Sequence, residues 1–277
     1  MAVTSLDGIV AGLLPSYDVN KAAVTAKAAG IYHSSILLAG IPGAAAAANT
    51  RTLAAPGSLT AYAGSIPFPA AVGGKNIHLA NLEVDQGANV GAIMIWDRLW
   101  QVDTVASGIV VTTTTAQTIT PGTLQARDMN GATLGEGCMA AIEVQTTTGN
   151  AGAIANMALS YTNSAGTAGR TAGMLYSFPI TAVAGTIVPF TLQAGDTGIR
   201  SIQSITLGTS LVSGTVSLIV YRQITAIGTP LANTSYAKDA IGLGLPRMYD
   251  TSCPFMVYMP TGTAVGVVDA QVTYTQN

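Results

Sequence analysis

From residue 138 to residue 162 apolar and polar positions alternate with a period of two, the mark of a strand with one face buried. Cys138, Ala140, Ile142 and Val144 alternate with Met139, Ala141, Glu143 and Gln145, and Ala155, Met157, Leu159 and Tyr161 alternate with Asn156, Ala158, Ser160 and Thr162. Gly149, Asn150 and Gly152 lie between the two sets and tolerate left-handed backbone, so the pattern predicts two neighbouring strands paired antiparallel. The β-branched run Thr112, Thr113, Thr114, Thr115 adds further sheet signal ahead of them.

The same reading extends along the chain. Residues 76–84 predict a strand, and 92–100 a second strand or a strand running into a helical turn. Further apolar stretches lie at 174–180, 185–192 and 199–207, with a compact turn at 194–198. At 214–222 Val216, Leu218 and Val220 alternate with Ser217, Ile219 and Tyr221, so both faces are nearly apolar and a central strand is expected. A Gly- and Pro-rich loop covers 228–246, a strand 254–259, and Val268, Ala270, Val272 and Tyr274 form the buried face of a last strand. Short strands separated by turns every ten or so residues predict an all-β fold, an antiparallel β-sandwich of jelly-roll-like kind over residues 76–277. Strand order leaves no mark in the spacing, so another sandwich fits as well.

Residues 1–75 break this rhythm. Residues 20–29 (NKAAVTAKAA) predict a short helix stopped by Gly30, and Pro42, Gly43, Pro56, Gly57, Gly64, Pro67, Pro69, Gly73 and Gly74 interrupt the chain beyond it too often for a long regular element. The segment reads as a largely irregular N-terminal arm containing a short helix, or as outer strands of the main domain. On the arm reading, residues 1–50 serve attachment more than the fold.

Composition narrows the function. Only 9% of the 277 residues are charged, against about 25% in an ordinary soluble domain, so Thr, Ser, Asn, Gln, Gly and Ala must cover much of the surface. A chain so poor in charge points to surfaces consumed by assembly, and a closed homo-oligomer, a trimer, is expected. The net charge of -2, with no two cations adjacent, argues against direct contact with nucleic acid. Asp7 stands where a secretory signal would carry a cation, and the most apolar run, 36–48, is broken by Pro42 and Gly43, so neither a signal nor a membrane span is expected. Cys138 and Cys253 lie in apolar settings and read as buried thiols of a chain made in the cytoplasm.

Candidate chemistry is sparse. His33 and His78 stand alone, and neither zinc nor cupin-like metal binding is met by single imidazoles far apart. There is no nucleophile elbow, Walker loop or dinucleotide fingerprint. Glu83 with Asp85 and Asp97 with Asp103 are the carboxylate pairs a glycan-cleaving enzyme would need, weighed against solvated edges or ion pairs. Trp96 and Trp100 read as core, with an interface anchor as the rival. Arg170 and Arg200, scarce cations in a neutral context, are expected to be partly buried and paired. No catalytic, cofactor-binding or metal-binding residue is assigned, no cofactor is expected, and the chain is read as not an enzyme.

Four phrases carry a resemblance: IWDRLW (95–100), GIVVTTTTAQTI (108–119), ALSYTNSAGTAGRT (158–171) and GIRSIQSITLG (198–208). Over about residues 75–225 the chain resembles a family of uncharacterised structural proteins of tailed double-stranded-DNA bacteriophages and prophages. The resemblance implies a virion component with other virion proteins as partners and carries no active-site residue. A decoration or capsid-reinforcing protein of the head surface is the expectation; a tail, neck or baseplate component is the alternative, and the major capsid protein or a glycan depolymerase comes behind both.

Overall fold

Strands buried on both faces draw mainly on apolar residues, and the runs at 91–103 and 215–229, each interrupted by a few buried polar or charged side chains, form the longest strands among the described residues. The computed structural model describes residues 5–22, 28–45, 57–58, 62–88, 90–103, 108–263 and 266–277. In chain order they form helix α1 (Leu6–Ala11) and strands β1 (Tyr17–Lys21), β2 (Tyr32–Ser34), β3 (Gly40–Ile41), β4 (Gly57–Ser58), β5 (Ile77–Gln86) and β6 (Gly91–Asp103). Then come β7 (Ala116–Thr118), β8 (Cys138–Thr146), β9 (Ala158–Asn163), β10 (Arg170–Met174), β11 (Thr186–Thr191), β12 (Ile199–Thr206) and β13 (Thr215–Thr229). The last are β14 (Tyr236–Lys238), α2 (Ala240–Leu243), β15 (Arg247–Met248), β16 (Pro254–Pro260) and β17 (Val268–Gln276).

The fold is a closed antiparallel β-barrel, jelly-roll-like, with extra strands. The order β2-β16-β6-β13-β8-β11 returns to its start because β11 pairs with β2, Thr186 opposite His33 and Ile187 opposite Tyr32. From β11 the same sheet runs on through β10, β9, β12 and β7. A smaller sheet, β14-β5-β17-β1-β3 with β15 beside β5, packs on the barrel wall.

Three cores result. Met94, Trp96, Ala141, Ile187, Ile219, Tyr221, Phe255 and Val257 fill the barrel, with Trp96 stacked on Tyr221 at 3.9 Å between centroids. Outside the wall, Val84, Leu82, Leu79, Val272 and Tyr274 of the smaller sheet meet Ile93, Ile95, Met256 and Tyr258. At the other end of β6 and β13, Trp100, Val102, Leu218, Val220, Ile142 and Val144 meet Leu159, Tyr161, Ile202 and Ile205. Both tryptophans are thus core, in different clusters, and β13 is central between β6 and β8, as its two apolar faces predict. An extra residue in β6, Leu99, shifts the alternation so that Trp96 and Arg98 before it and Gln101 and Asp103 after it face the same side.

Several expectations need correction. β8 and β9 do form, but they are not a hairpin: β8 lies between β13 and β11, and β9 between β10 and β12. With both faces of β8 buried, partners with apolar strands of their own outcompete a local turn, and Asn150, which donates to the Gly152 and Pro179 carbonyls, ties the connection down as a crossing loop. The threonine run 112–115 is turn and irregular chain, and the short strand there starts only at Ala116. Of the helix expected over 20–29, Asn20 and Lys21 end β1, residues 23–27 lie outside the described residues, and the short N-terminal helix is instead α1, capped by the Ser5 side chain.

Within residues 1–75, β1 pairs along β17 from Tyr17 opposite Val272 to Lys21 opposite Val268, and β2 closes the barrel between β16 and β11. Val19, Ile36 and Leu38 are buried in two of the three cores. Deleting residues 1–49 removes these strands, opens the ring and uncovers apolar cores; the truncated protein is expected to lose its cooperative thermal transition in a circular-dichroism melt. A truncation that melts cooperatively near the full-length midpoint would show that the first strands are an attachment arm laid on a self-sufficient domain.

Candidate functional site

Most of the buried charges among the described residues gather where β6 crosses the barrel, on both of its faces. Inside, the Arg98 guanidinium lies between the rings of Tyr62 and Phe255, 4.7 and 4.6 Å from their centroids. Its Nη2 pairs with Glu143 Oε1 at 2.6 Å and its Nη1 donates to Gln101 Oε1 at 2.7 Å. Gln101 Nε2 passes the chain to Asp103 Oδ1 at 2.5 Å, the Ser217 hydroxyl donates to the same oxygen, and Gln145 Nε2 donates to Glu143 Oε2 at 2.5 Å. Arg98, Gln101 and Glu143 are fully buried and Asp103 is 4% exposed.

On the other face of β6, Asp97 receives Arg127 Nε at 3.2 Å, Arg222 Nη2 at 3.7 Å, the Ser252 hydroxyl at 2.9 Å and the Cys253 backbone N–H at 2.8 Å. Arg127 also donates to the Arg98 carbonyl at 2.6 Å, which ties the two clusters through the backbone. Next to Arg127, the buried Asp128 carboxylate accepts backbone N–H groups of Asn130, Ala132, Gly135 and Glu136 and so folds the loop that brings Arg127 inward. That loop presses on the start of β12 at Gly135, where φ is 80° and an added Cβ would stand 1.9 Å from the Ile199 carbonyl oxygen; only glycine fits.

These contacts decide the first pair of candidate carboxylates. Asp97 and Asp103 sit on opposite faces of β6, each buried and engaged by its own donors, so they do not flank a common cleft. Glu83 and Asp85 do share a face, half-buried on the outer side of β5, where Asp85 stands opposite Asp269 and Glu83 opposite Gln271. Their neighbours are Asp18, Asn20, Asp269 and Gln271, and no arginine among the described residues joins them. The histidines are apart: His33 is buried in β2 with its ring 5.6 Å from that of Tyr258, and His78 on β5 meets the Leu245 carbonyl at 3.0 Å. Among the described residues no group of three or more His, Cys, Asp or Glu is arranged to hold a metal ion.

Cys138 and Cys253 are free and buried. Burial, helped by the charge of Asp128, pushes the Cys138 thiol up to about 12, and burial pushes Cys253 up to about 11, so neither is a thiolate nucleophile near neutral pH. Arg170 meets its expectation: Nε binds Asp196 Oδ2 at 2.9 Å with the side chain 25% exposed, at a junction where Tyr161 and Asn163 donate to the same carboxylate at 2.5 and 2.7 Å. Arg200 does not, being exposed with no ion pair among the described residues, because Ile199 and Ile202 turn the inward positions of β12 over to apolar packing. Lys21, unremarked in the sequence, is buried and donates to the Pro42 carbonyl at 2.5 Å; burial lowers its pKa to about 8.

The buried charges escape a motif search because they have no fixed spacing. A charge set within an apolar strand, such as Arg98 after Trp96 or Glu143 between Ile142 and Val144, is the signal that marks them. Chemically the arrangement ties the strands of the barrel wall together across both faces of β6.

No family model matches the chain, and no curated protein matches it. Among solved structures it is similar to the VP2 subviral particle of infectious bursal disease virus, at 8% identity and a TM-score of 0.21 over 96% of this chain and 81% of that one. It is also similar to the Gt strain of the same virus, at 10% identity and a TM-score of 0.19 over 96% and 81%. A third similarity is to the capsid asymmetric unit of cyanophage Pam1, at 15% identity and a TM-score of 0.13 over 76% and 91%. Likeness at these TM-scores is too slight to carry a role across to this chain.

The Arg98–Glu143 pair and the Arg170–Asp196 junction can be tested separately. Removing one partner of a buried ion pair strands the other, at about 3–5 kcal/mol, so Glu143→Met is expected to lower stability by that order in a denaturant titration. Adding Arg98→Met to it is expected to recover a large part of the loss; no recovery would mean that the barrel needs the charges themselves. Acid probes the Arg170 junction. Hydrogen bonds from Arg170 and then Tyr161 hold the Asp196 carboxyl at about 2, below its ordinary 3.8. Its stabilisation is therefore complete above about pH 3.8 and is lost as pH falls through about 2. The thermal midpoint should fall across that window, and Asp196→Asn should flatten the fall while lowering the midpoint at neutral pH; an unchanged acid limb would remove Asp196 from the account.

Proposed function

We propose that the chain is a non-enzymatic structural protein of a bacteriophage virion, a decoration or capsid-reinforcing protein of the head surface that assembles with itself, as a trimer, and with other virion proteins. The observation that carries this reading is where the chain puts its charge. Lys21, Asp97, Arg98, Asp103, Arg127, Asp128, Glu143 and Arg222 are buried, in a sequence with only 11 Lys and Arg and 13 Asp and Glu. Charges taken inside leave a surface of Thr, Ser, Gly, Asn and apolar side chains, poorly suited to a freely dispersed monomer and well suited to packing.

Apolar groups support the same reading. Leu6, Val10 and Leu13 succeed one another at spacings of four and three along α1 and its end, and are 66%, 59% and 50% exposed. Met129, Leu231 and Ile241 stand out from loops and α2 at 63%, 62% and 80%. A barrel braced by buried ion pairs is a frame on which such contacts can be held, and the resemblance of four phrases to tailed-phage structural proteins supports the setting. No helix among the described residues is long and apolar enough to cross a membrane.

Quantitative mass spectrometry of purified particles of the encoding phage, with labelled peptide standards, tests the proposal. Copy numbers on the order of hundreds per particle are expected of a head-surface protein with the symmetry of the shell. A few to a few dozen copies would move the protein to the tail, neck or baseplate, and absence from particles would overturn the virion role.

A further inference from the structure

The smaller sheet buries one face and leaves the other uncovered. On that outer face β1, β17 and β5 present Asp18, Asn20, Asp269, Gln271, Glu83 and Asp85 around a groove of about 330 Å³. Strand register sets Asp85 directly opposite Asp269, an arrangement that destabilises a sheet when both are charged. Asn20 donates to Asp269 Oδ1 at 2.6 Å and Gln271 to Asp18 Oδ1 at 3.1 Å, while Asp85 Oδ1 is shielded from solvent and has no hydrogen-bond partner. Burial, with the charge of Asp85 added, raises the Asp269 carboxyl against the opposing effect of Asn20. Among the described residues no lysine or arginine lines the groove.

The missing cations stand at the other end of the same sheet. Lys75, just ahead of β5, and Arg247 of β15 line a pocket of about 270 Å³ with Asn76, Tyr249 and Asp250. Arg247 is steadied over the Tyr249 ring at 4.5 Å. Among the described residues the exposed cations are Lys75, Arg200 and Arg247, so two of these three meet at this one place. They cannot serve the groove of their own chain: Ile77 to Asp85 alone spans about 27 Å of strand, and a Debye length is about 8–10 Å at physiological salt.

We propose that the acidic groove on the outer face of the smaller sheet receives Lys75 and Arg247 of a second copy of this chain. The charges are complementary, the two sites are on opposite ends of one sheet, and the long cationic side chains bring positive charge to carboxylates whose partners at home are neutral amides. Because the two surfaces differ, the contact is head-to-tail, and repetition of it closes into a ring when the rotation between copies allows. The inference rests on the assembly part of the proposed function and names the surface that carries it.

Two double variants test it: Asp85→Asn with Asp269→Asn removes two of the four groove carboxylates, the pair facing each other across β5 and β17, and Lys75→Glu with Arg247→Glu removes the cations, each checked for a wild-type melt by circular dichroism. In sedimentation equilibrium the wild type should associate, and more weakly as NaCl rises from about 0.05 to about 0.5 M. Each variant alone should associate about tenfold or more weakly. Mixed one to one, they should form a heterodimer and stop there, since each supplies the half the other lacks. If Lys75→Glu with Arg247→Glu does not fold, Lys75→Gln with Arg247→Gln takes its place. Wild-type-like association of either variant, or no heterodimer in the mixture, overturns the contact while leaving self-assembly standing. A wild type that stays monomeric to about 100 µM overturns both. Association that resists salt and collapses on chelation overturns it too, and gives the groove to a divalent cation.

Discussion

Strand β6 carries a guanidinium into the barrel and a carboxylate out of it at consecutive residues, and the rest of the fold is arranged so that neither is left alone. Arg98 must find Glu143 across the barrel from β8, and Asp97 must find Arg127 from a distant loop and Arg222 from β13. Across the two faces of the wall three guanidinium groups, Arg98, Arg127 and Arg222, stand against three carboxylates, Asp97, Asp103 and Glu143, all buried. An unpaired buried charge costs several kcal/mol, so a barrel with a strand missing or a register slipped is penalised far more than an apolar barrel would be. Closures that pair these charges are therefore favoured over closures that strand one of them.

That constraint explains the role of elements with little core of their own. β2 contributes only three residues, yet it joins β16 to β11 and completes the ring around Trp96, Tyr221 and Arg98. The loop folded by Asp128 exists as an ordered turn because four backbone N–H groups converge on one carboxylate, and its product is the placement of Arg127. The extra residue at Leu99 lets one strand serve two cores and a polar interior, because it shifts the inside–outside phase midway along β6.

Charge drawn inward also shapes the outside. A surface left with few ions is held in solution weakly and associates readily, while the carboxylates that remain on it are concentrated on the uncovered face of the smaller sheet. The assembly we propose draws on the same economy of charge, since it calls for faces poor in ions more than for a reactive centre.

Local pattern alone determined much of this protein: the all-β class, the positions of β5, β6, β8, β9, β13, β16 and β17, and the burial of both cysteines, while β11 and β12 showed only as apolar stretches and both tryptophans read as core with an interface as the rival. Those features come from period-two alternation and from side-chain chemistry, which act over a few residues. Glu83 and Asp85 sharing a face was legible for the same reason. Only the tertiary structure decided which strands are neighbours. The turn after β8 looks like a hairpin in sequence, but β8 pairs with β11 and β13 because two buried faces demand apolar partners on both sides. The ring closed by β2, the pairing of Arg98 with Glu143 over 45 positions of chain, and the meeting of Asp97 with Arg127 and Arg222 likewise have no local trace. Long-range pairing is set by the global competition to bury apolar area without stranding a charge, and that competition is settled only when the whole chain is packed.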